Sequence, residues 1–345
     1  MKRSDFILGL LVGALAATAL FAFIGRKQLG EAGEASVLGR DLKIAHSLPT
    51  SHPVHRGIER FAQRLKELSG GQINCAIFPS GQLGSETEYL EKLQSGTLDI
   101  AKTSAAPVAN FVPRMKLFSL PYLFRDREHY WQVLDGAIGQ QLLAKLSDRG
   151  SGKPSGFRGL CFYDAGSRNF YSVQPIEEPS DLRGRVIRVM EDPVAIDMMG
   201  KFQAIAKPMA SGEIYSALQR GNINGAENNP PTFVTQRHYE VCKHFTFDHH
   251  SRIPDVLQIS SMLWDRLGEQ EQSWVLTAAR ESSRYQRQLW QQESDASVAE
   301  MQKHGVTIHR PDPQAFEAVA GRAGEALLDD EVKALRDRIK SLPRT

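Results

Sequence analysis

The chain has 345 residues, 41% hydrophobic and 24% charged, with 42 Lys plus Arg against 40 Asp plus Glu for a formal net charge of +2. That composition excludes a disordered or collagen-like chain, and a balance this even does not point to nucleic acid or an anionic membrane surface as the main partner. The length suits two domains of about 100–200 residues each, and the 3 cysteines, without C-x-x-C spacing, make neither a disulfide framework nor a cysteine zinc site.

Lys2 and Arg3 precede an apolar run over residues 6–25, which Arg26 and Lys27 end. A basic start before an apolar stretch is the pattern of an export signal, and about twenty such residues also suffice to span a bilayer. Residues 1–40 are therefore expected to act in targeting, either cleaved near Gly33-Glu34-Ala35 or kept as an anchor, with 28–40 as a tether. The folded part is expected in the periplasm.

From residue 41 onward, strand and helix patterns alternate. Residues 42–46 read as a short strand. Ile58, Phe61, Ala62, Leu65 and Leu68 recur at helical spacing until Gly70-Gly71 stop them. Residues 73–78 read as a strand. Ser85-x-x-Glu88 is a capping box, opening a helix that Gly96 ends. Residues 98–103 form a buried strand. This β-α-β-α-β run predicts a mostly parallel sheet with helices on both faces. The pattern returns with a strand over 184–190, helices over 193–202 and 212–220, and a strand at 223–226. Residues 268–305 hold no internal proline or glycine. A helix that long would measure about 50 Å and is expected to run as a strut across both domains. Residues 313–342 read as one or two further helices.

No nucleophile elbow, zinc-protease, P-loop or dinucleotide motif is present. His249-His250 is a conceivable ligand pair, but adjacent side chains diverge and no third ligand stands at a recognisable spacing. No catalytic residue, metal or cofactor is expected. Two arginines stand out: Arg168, just after the apolar strand 160–163, and Arg188, inside Val186-Ile187-Arg188-Val189-Met190. An arginine in an apolar strand must meet an anion, because burying it unpaired is costly. The anion can be an internal carboxylate, as a structural salt bridge, or a ligand carboxylate gripped by the planar fork. Glu227-Asn228-Asn229-Pro230-Pro231 follows a short strand and offers amides at a strand's carboxyl end, where ligands sit in open α/β sheets.

Several stretches together resemble the solute-binding proteins of tripartite ATP-independent periplasmic (TRAP) transporters, the DctP-like family. They are FPSGQLGSE at 78–86, FSLPYLF at 118–124, LRGRVIRVME at 182–191, PMASGEIY at 208–215, NGAENNP at 224–230 and HYEV at 238–241. The similarity covers essentially residues 41–340. It implies an α/β fold of two periplasmic-binding-protein-like domains, joined by crossing strands, a hinge and a long domain-spanning helix, that closes on an organic anion. The expected division is 41–165 with 254–290 against 166–253 with 291–345.

The resemblance places the family's carboxylate-selecting arginine on Arg188, its second arginine on Arg168 and its carboxylate-holding asparagine on Asn228. Local alignment adds Ser47, Glu86 in the GSE turn, Ser104 at the end of the third strand, Ser211 in the PMAxGE loop and Asp255 after the DHH segment. Two positions depart from the family pattern: Asn224 stands where an aspartate is common, and Ser211 where an aromatic is common, which implies a roomier wall. The implied function is capture of a small organic acid and delivery to a TRAP membrane permease, without chemistry. A carboxylate at the far end, Glu86, would repel a second ligand carboxylate, favouring a uronate or aldonate over a C4-dicarboxylate. The rivals are an extracytoplasmic lyase-type enzyme acting on sugar acids, with His46 or Glu86 as base, and a sensor docking on a membrane receptor.

Overall fold

The computed structural model describes Gly39 and residues 41–343. The apolar run and its tether, and with them the expected export signal, lie outside the described residues. Among the described residues no helix is long and apolar enough to cross a membrane.

The elements run in chain order as β1 (Asp41–Ala45), α1 (Pro53–Leu68), β2 (Asn74–Phe78), α2 (Glu86–Gln94), β3 (Ile100–Ser104), α3 (Ala105–Val108), α4 (Arg127–Asp135), α5 (Ala137–Ala144), β4 (Phe157–Tyr163) and β5 (Arg168–Ser172). Then come β6 (Val186–Val189), α6 (Pro193–Lys201), β7 (Ile205–Pro208), α7 (Ile214–Gln219), β8 (Gly225–Asn228), α8 (Pro230–Thr235), β9 (His244–Ser251) and β10 (Asp255–Ser260). The chain ends with α9 (Ser261–Trp264), α10 (Glu269–Lys303), β11 (Thr307–His309), α11 (Pro313–Ala320) and α12 (Asp330–Lys340). The capping box at Ser85 opens α2 as its sequence predicts: Ser85 Oγ accepts from the Glu88 amide and Glu88 Oε2 from the Ser85 amide.

Two sheets result, one ordered β2-β1-β3-β10-β4 and the other β11-β9-β5-β8-β6-β7. Both are mostly parallel, and each contains one strand opposed to its neighbours. β10 runs antiparallel to β3 and β4, and β5 runs antiparallel to β8 and β9. The cause is connectivity. β4 leads straight into β5, and β9 straight into β10, so each reversed strand enters its sheet directly from the other one and not through a crossover helix. Gly166 makes the first crossing possible. Its φ is +61°, and a Cβ there would sit 2.9 Å from the Trp290 ring nitrogen.

The long helix predicted over 268–305 is α10, 35 residues without a break. Its small buried residues, Ala278, Ala279, Ser282 and Ser283, let it lie close against α1 and β4. Its later turns meet α8 and β11 of the second sheet. At the crossing it is pinned: Gln286 donates Nε2 to the Asp164 carbonyl and accepts the Asp164 amide at Oε1, at 2.9 and 2.8 Å. The tail divides its packing. Phe316 and Ala320 of α11 enter the core of the second sheet, whereas Val332, Leu335 and Ile339 of α12 pack with Leu117 and Phe118 over the first.

Six of the parallel strands turn their carboxyl ends toward the space between the sheets. Residues just beyond β1, β2, β3, β6, β7 and β8 line that space, together with the first residues of the reversed strands, Arg168 and Asp255.

Candidate functional site

A cavity of about 330 Å³ lies between the two sheets. All eight residues expected at the site line it: Arg188, Arg168, Asn228, Glu86, Ser104, Ser47, Ser211 and Asp255. They form two groups of opposite character.

The first group comes from the second sheet. Arg168 spends most of its fork inside the protein: Nε donates to Glu227 Oε2, and Nη2 donates to Glu227 Oε1 at 2.9 Å and to the Glu227 carbonyl at 2.7 Å. The structural salt bridge is thus the right description for that edge of Arg168. Only Nη1 turns elsewhere, toward Asn228 Oδ1 at 3.4 Å. Asn228 Oδ1 also accepts the Asn229 amide at 2.9 Å, so its amide NH2 is the group left to donate.

Arg188 differs. It is 3% exposed, and its Nε and Nη2 both donate to the Met209 carbonyl, at 3.0 and 2.7 Å. Among the described residues it makes no ion pair with a carboxylate. Burial pushes its pKa down, only partly offset by the field of Glu227. A buried cation without a paired anion is a strong demand for one, and it borders the cavity.

The second group comes mainly from the first sheet. Lys102 of β3 is buried and donates Nζ to Glu86 Oε1 at 3.0 Å, with Asp255 Oδ1 at 3.2 Å. Glu86 also accepts the Ser47 hydroxyl and the Ser104 amide, each at 3.0 Å. Burial alone would raise the Glu86 pKa, but Lys102 and these hydrogen bonds outweigh it and hold the carboxyl below its usual range. Asp255 is pushed up to about 6, by burial first, with Lys102 opposing and Glu86 adding to the rise. One ammonium serves two carboxylates, and Glu86 holds the larger share. This end is therefore rich in acceptors.

Sequence reasoning missed Lys102. The signal was available, because a lysine in the apolar strand 98–103 poses the same question as Arg188. It also missed His52 and Thr232. His52 Nδ1 accepts the Val54 amide at 3.2 Å, and its Nε2 meets Thr232 Oγ1 at 3.2 Å. That contact joins α1, on the first sheet, to α8, on the second. Glu191 makes two more such links, taking the Thr87 hydroxyl at 2.6 Å and the Asn110 amide at 2.8 Å. Ser211 lines the cavity while paired with Gln236, whose Nε2 lies 3.1 Å from its hydroxyl. Asn224 accepts the Val186 amide at 2.8 Å through its side chain, which fixes the start of β6. Its role is thus in the sheet.

His46 is sealed beneath the site, fully buried, with Nε2 on His55 Nδ1 at 2.9 Å. Burial first, then Lys102 and His55, push its pKa down to about 3. His238 is likewise depressed to about 3 and His249 to about 4, burial being the main cause in both. The unfolded chain protonates these rings near pH 6.5, while the folded chain does not until pH 3–4. The unfolded state then binds more protons, so stability falls as pH drops below 6.5, by up to about 1.4 kcal/mol per pH unit for each ring. Thermal unfolding from pH 7 to pH 4.5 is expected to show a steadily falling midpoint. Asp255 and Asp192, both raised to about 6 mainly by burial, return part of this by taking up protons in the folded state below pH 6, and a midpoint that rises by more than these two carboxyls can supply would mean the rings are not buried neutral.

Two α/β halves, linked by paired crossings and a shared helix, enclose a cavity with a cationic and an acceptor-rich end. These are the features of a two-lobed binding protein. The chain belongs to the DctP family, described as bacterial extracellular solute-binding protein, family 7, which it matches over residues 44–328. It is similar to a TRAP periplasmic solute-binding protein of Xanthobacter autotrophicus Py2, solved with bound β-D-galacturonate, with 34% identity and a TM-score of 0.84 over 88% of this chain and 100% of that one. A TRAP solute-binding protein of Citrobacter koseri, solved with bound D-glucuronate, is 35% identical, with a TM-score of 0.82 over 88% of this chain and 100% of that one. The C4-dicarboxylate-binding periplasmic protein DctP of Rhodobacter capsulatus is 30% identical over 87% of this chain and 86% of that protein.

Proposed function

We propose that this protein captures a sugar acid, a uronate or aldonate with a single carboxylate, between its two halves and delivers it to a TRAP membrane permease from the periplasm. The observation that carries the reading is Arg188, buried beside the cavity without a carboxylate partner among the described residues. A ligand carboxylate completes it, with the Asn228 amide and Arg168 Nη1 as further donors. The opposite end is suited to hydroxyls, since Glu86 and Asp255 accept hydrogen bonds and repel a second carboxylate. The bound uronates of the two similar structures support this class over C4-dicarboxylates.

The site is read as one that binds without chemistry. Neither proposed base is free to act: His46 is walled off from the cavity, and Glu86 is tied to Lys102, Ser47 and the Ser104 amide. We place the domain division at the two crossings, 164–167 and 252–254, with α12 riding on the first half. The links His52–Thr232 and Glu191 to Thr87 and Asn110 then belong to the closed state, which ligand favours by touching both halves.

A thermal-shift screen over organic acids tests the reading, because a ligand that binds only the folded state stabilises it by about 2.7 kcal/mol at a hundred times its Kd. D-Glucuronate and D-galacturonate are expected to raise the midpoint, and succinate and malate to leave it in place. A shift with succinate and none with any sugar acid would overturn the proposed class.

A further inference from the structure

Behind Arg168 a chain of buried charges runs away from the cavity. Glu227, which holds Arg168, is 1% exposed. The Nε2 of His250 lies 3.5 Å from Glu227 Oε2, and its Nδ1 lies 2.8 Å from Asp248 Oδ2. His250 and Asp248 are both fully buried. The backbone is bent to make this arrangement. On β5 and β9 the register jumps from Phe170 opposite Thr246 to Arg168 opposite Ser251, so β9 bulges through Asp248, His249 and His250. His249 takes a left-handed φ of 51° within the bulge. Bulges of this kind re-aim side chains beside functional sites. Here the bulge brings His250 under Glu227, with the Phe170 ring 4.7 Å from the imidazole.

We infer that His250 is a positioning residue of the anion site: as an imidazolium between Asp248 and Glu227, it balances the second buried carboxylate and leaves the Arg168–Arg188 pair with charge to spare for a ligand. The inference rests on the sugar-acid reading of the cavity. With His250 charged, the buried set Arg168, Arg188 and His250 against Glu227 and Asp248 is net positive by one. With His250 neutral the set is balanced, and Glu227 loses one of the two cations holding it. An incoming carboxylate then meets no net field in a medium where unpaired charge is costly.

Titration follows this geometry. Burial opposes protonation of His250, but Asp248 and Glu227 outweigh it and raise its pKa to about 9. Arg168 and His250 in turn hold Glu227 down to about 2 against the effect of burial. Other titratable groups near this cluster are displaced from that value. His249 is pushed down to about 4, mainly by burial, and Asp192 is raised to about 6 by burial first, with Glu227 adding to the rise. Tyr122, whose amide donates to the His250 carbonyl at 2.8 Å, has its phenol raised by burial, Asp248 and Glu317. Arg168 is raised and stays charged.

The test is calorimetry with D-glucuronate on the full chain between pH 6 and pH 10. Wild-type affinity is expected to hold from pH 7 to 8 and to weaken about tenfold by pH 10, as one bound proton is lost. His250→Gln is expected to bind at least tenfold more weakly at pH 7.5 and to show no break up to pH 10. Asp248→Asn keeps the shape and removes the charge that sustains the imidazolium. It is expected to bind like wild type at pH 6 and to lose affinity at least one pH unit earlier. A flat wild-type profile, or His250→Gln with wild-type affinity, would overturn the assignment and leave the sugar-acid reading standing. If His250→Gln does not fold, an unshifted break in Asp248→Asn overturns it as well. Absence of glucuronate and galacturonate binding by wild type at pH 7.5 would overturn the sugar-acid reading, and with it this inference.

Discussion

Arg188→Lys is expected to weaken sugar-acid binding by roughly tenfold to more than a hundredfold while the chain stays folded. A hydrogen bond to a charged group contributes about 1.5–3 kcal/mol, and lysine keeps the charge but loses the planar fork. In the protein that fork already holds the Met209 carbonyl through Nε and Nη2, which sets the plane in which the remaining donors point. Lysine has no second edge with which to hold that plane. Arg188→Met sharpens the case. It removes a charge that is 3% exposed and pairs with no carboxylate among the described residues. The ligand-free melting midpoint is expected to rise, because a desolvated charge is lost, while binding disappears; function and stability pull apart at such positions. Calorimetry and thermal unfolding of the two variants decide it. Unchanged affinity in Arg188→Lys would remove Arg188 from the carboxylate site.

Much of this was legible in the chain itself. The 3.6-residue and alternating periods, the Ser85 capping box and the uninterrupted stretch before Gly305 are local signals, and α1, α2 and α10 follow them closely. The lone arginine inside β6 was legible for a physical reason, since an apolar strand cannot bury a guanidinium idly. Three things were not. β5 and β10 are reversed because of where the chain crosses, and no local pattern encodes a crossing. The partner of Arg168 could not be chosen from sequence. Glu227 and a ligand carboxylate are equivalent anions until the antiparallel pairing of β5 with β8 brings Glu227 opposite Phe170, beside the arginine. The spacing of the His249-His250 pair said nothing of what its second member meets, because His250 gains its partner through a bulge that periodicity could not foresee.

Lys102→Met is expected to cost about 3–5 kcal/mol of stability at neutral pH, the usual penalty for removing one partner of a buried ionic cluster. The Lys102 side chain is 3% exposed, and its Nζ is the cation shared by Glu86 and Asp255, whose side chains are 17% and 9% exposed. Without it, burial and mutual repulsion act on both carboxyls unopposed. Asp255 is already raised to about 6 with the ammonium in place, so both carboxyls must move upward when it goes. The unfolded chain releases these protons near pH 4, while the folded variant keeps them to higher pH. The folded state then binds more protons above pH 4, so the variant loses stability as pH rises through that range. Urea unfolding at pH 5 and pH 8 is expected to show a small deficit at the lower pH and the full one at the higher. Adding Glu86→Gln to the variant should recover part of the loss at pH 8, since a single buried carboxyl can stay protonated at less cost than two. Equal midpoints for wild type and Lys102→Met at pH 8 would show that the ammonium does not hold the two carboxylates. The acceptor-rich end of the cavity would then need another explanation.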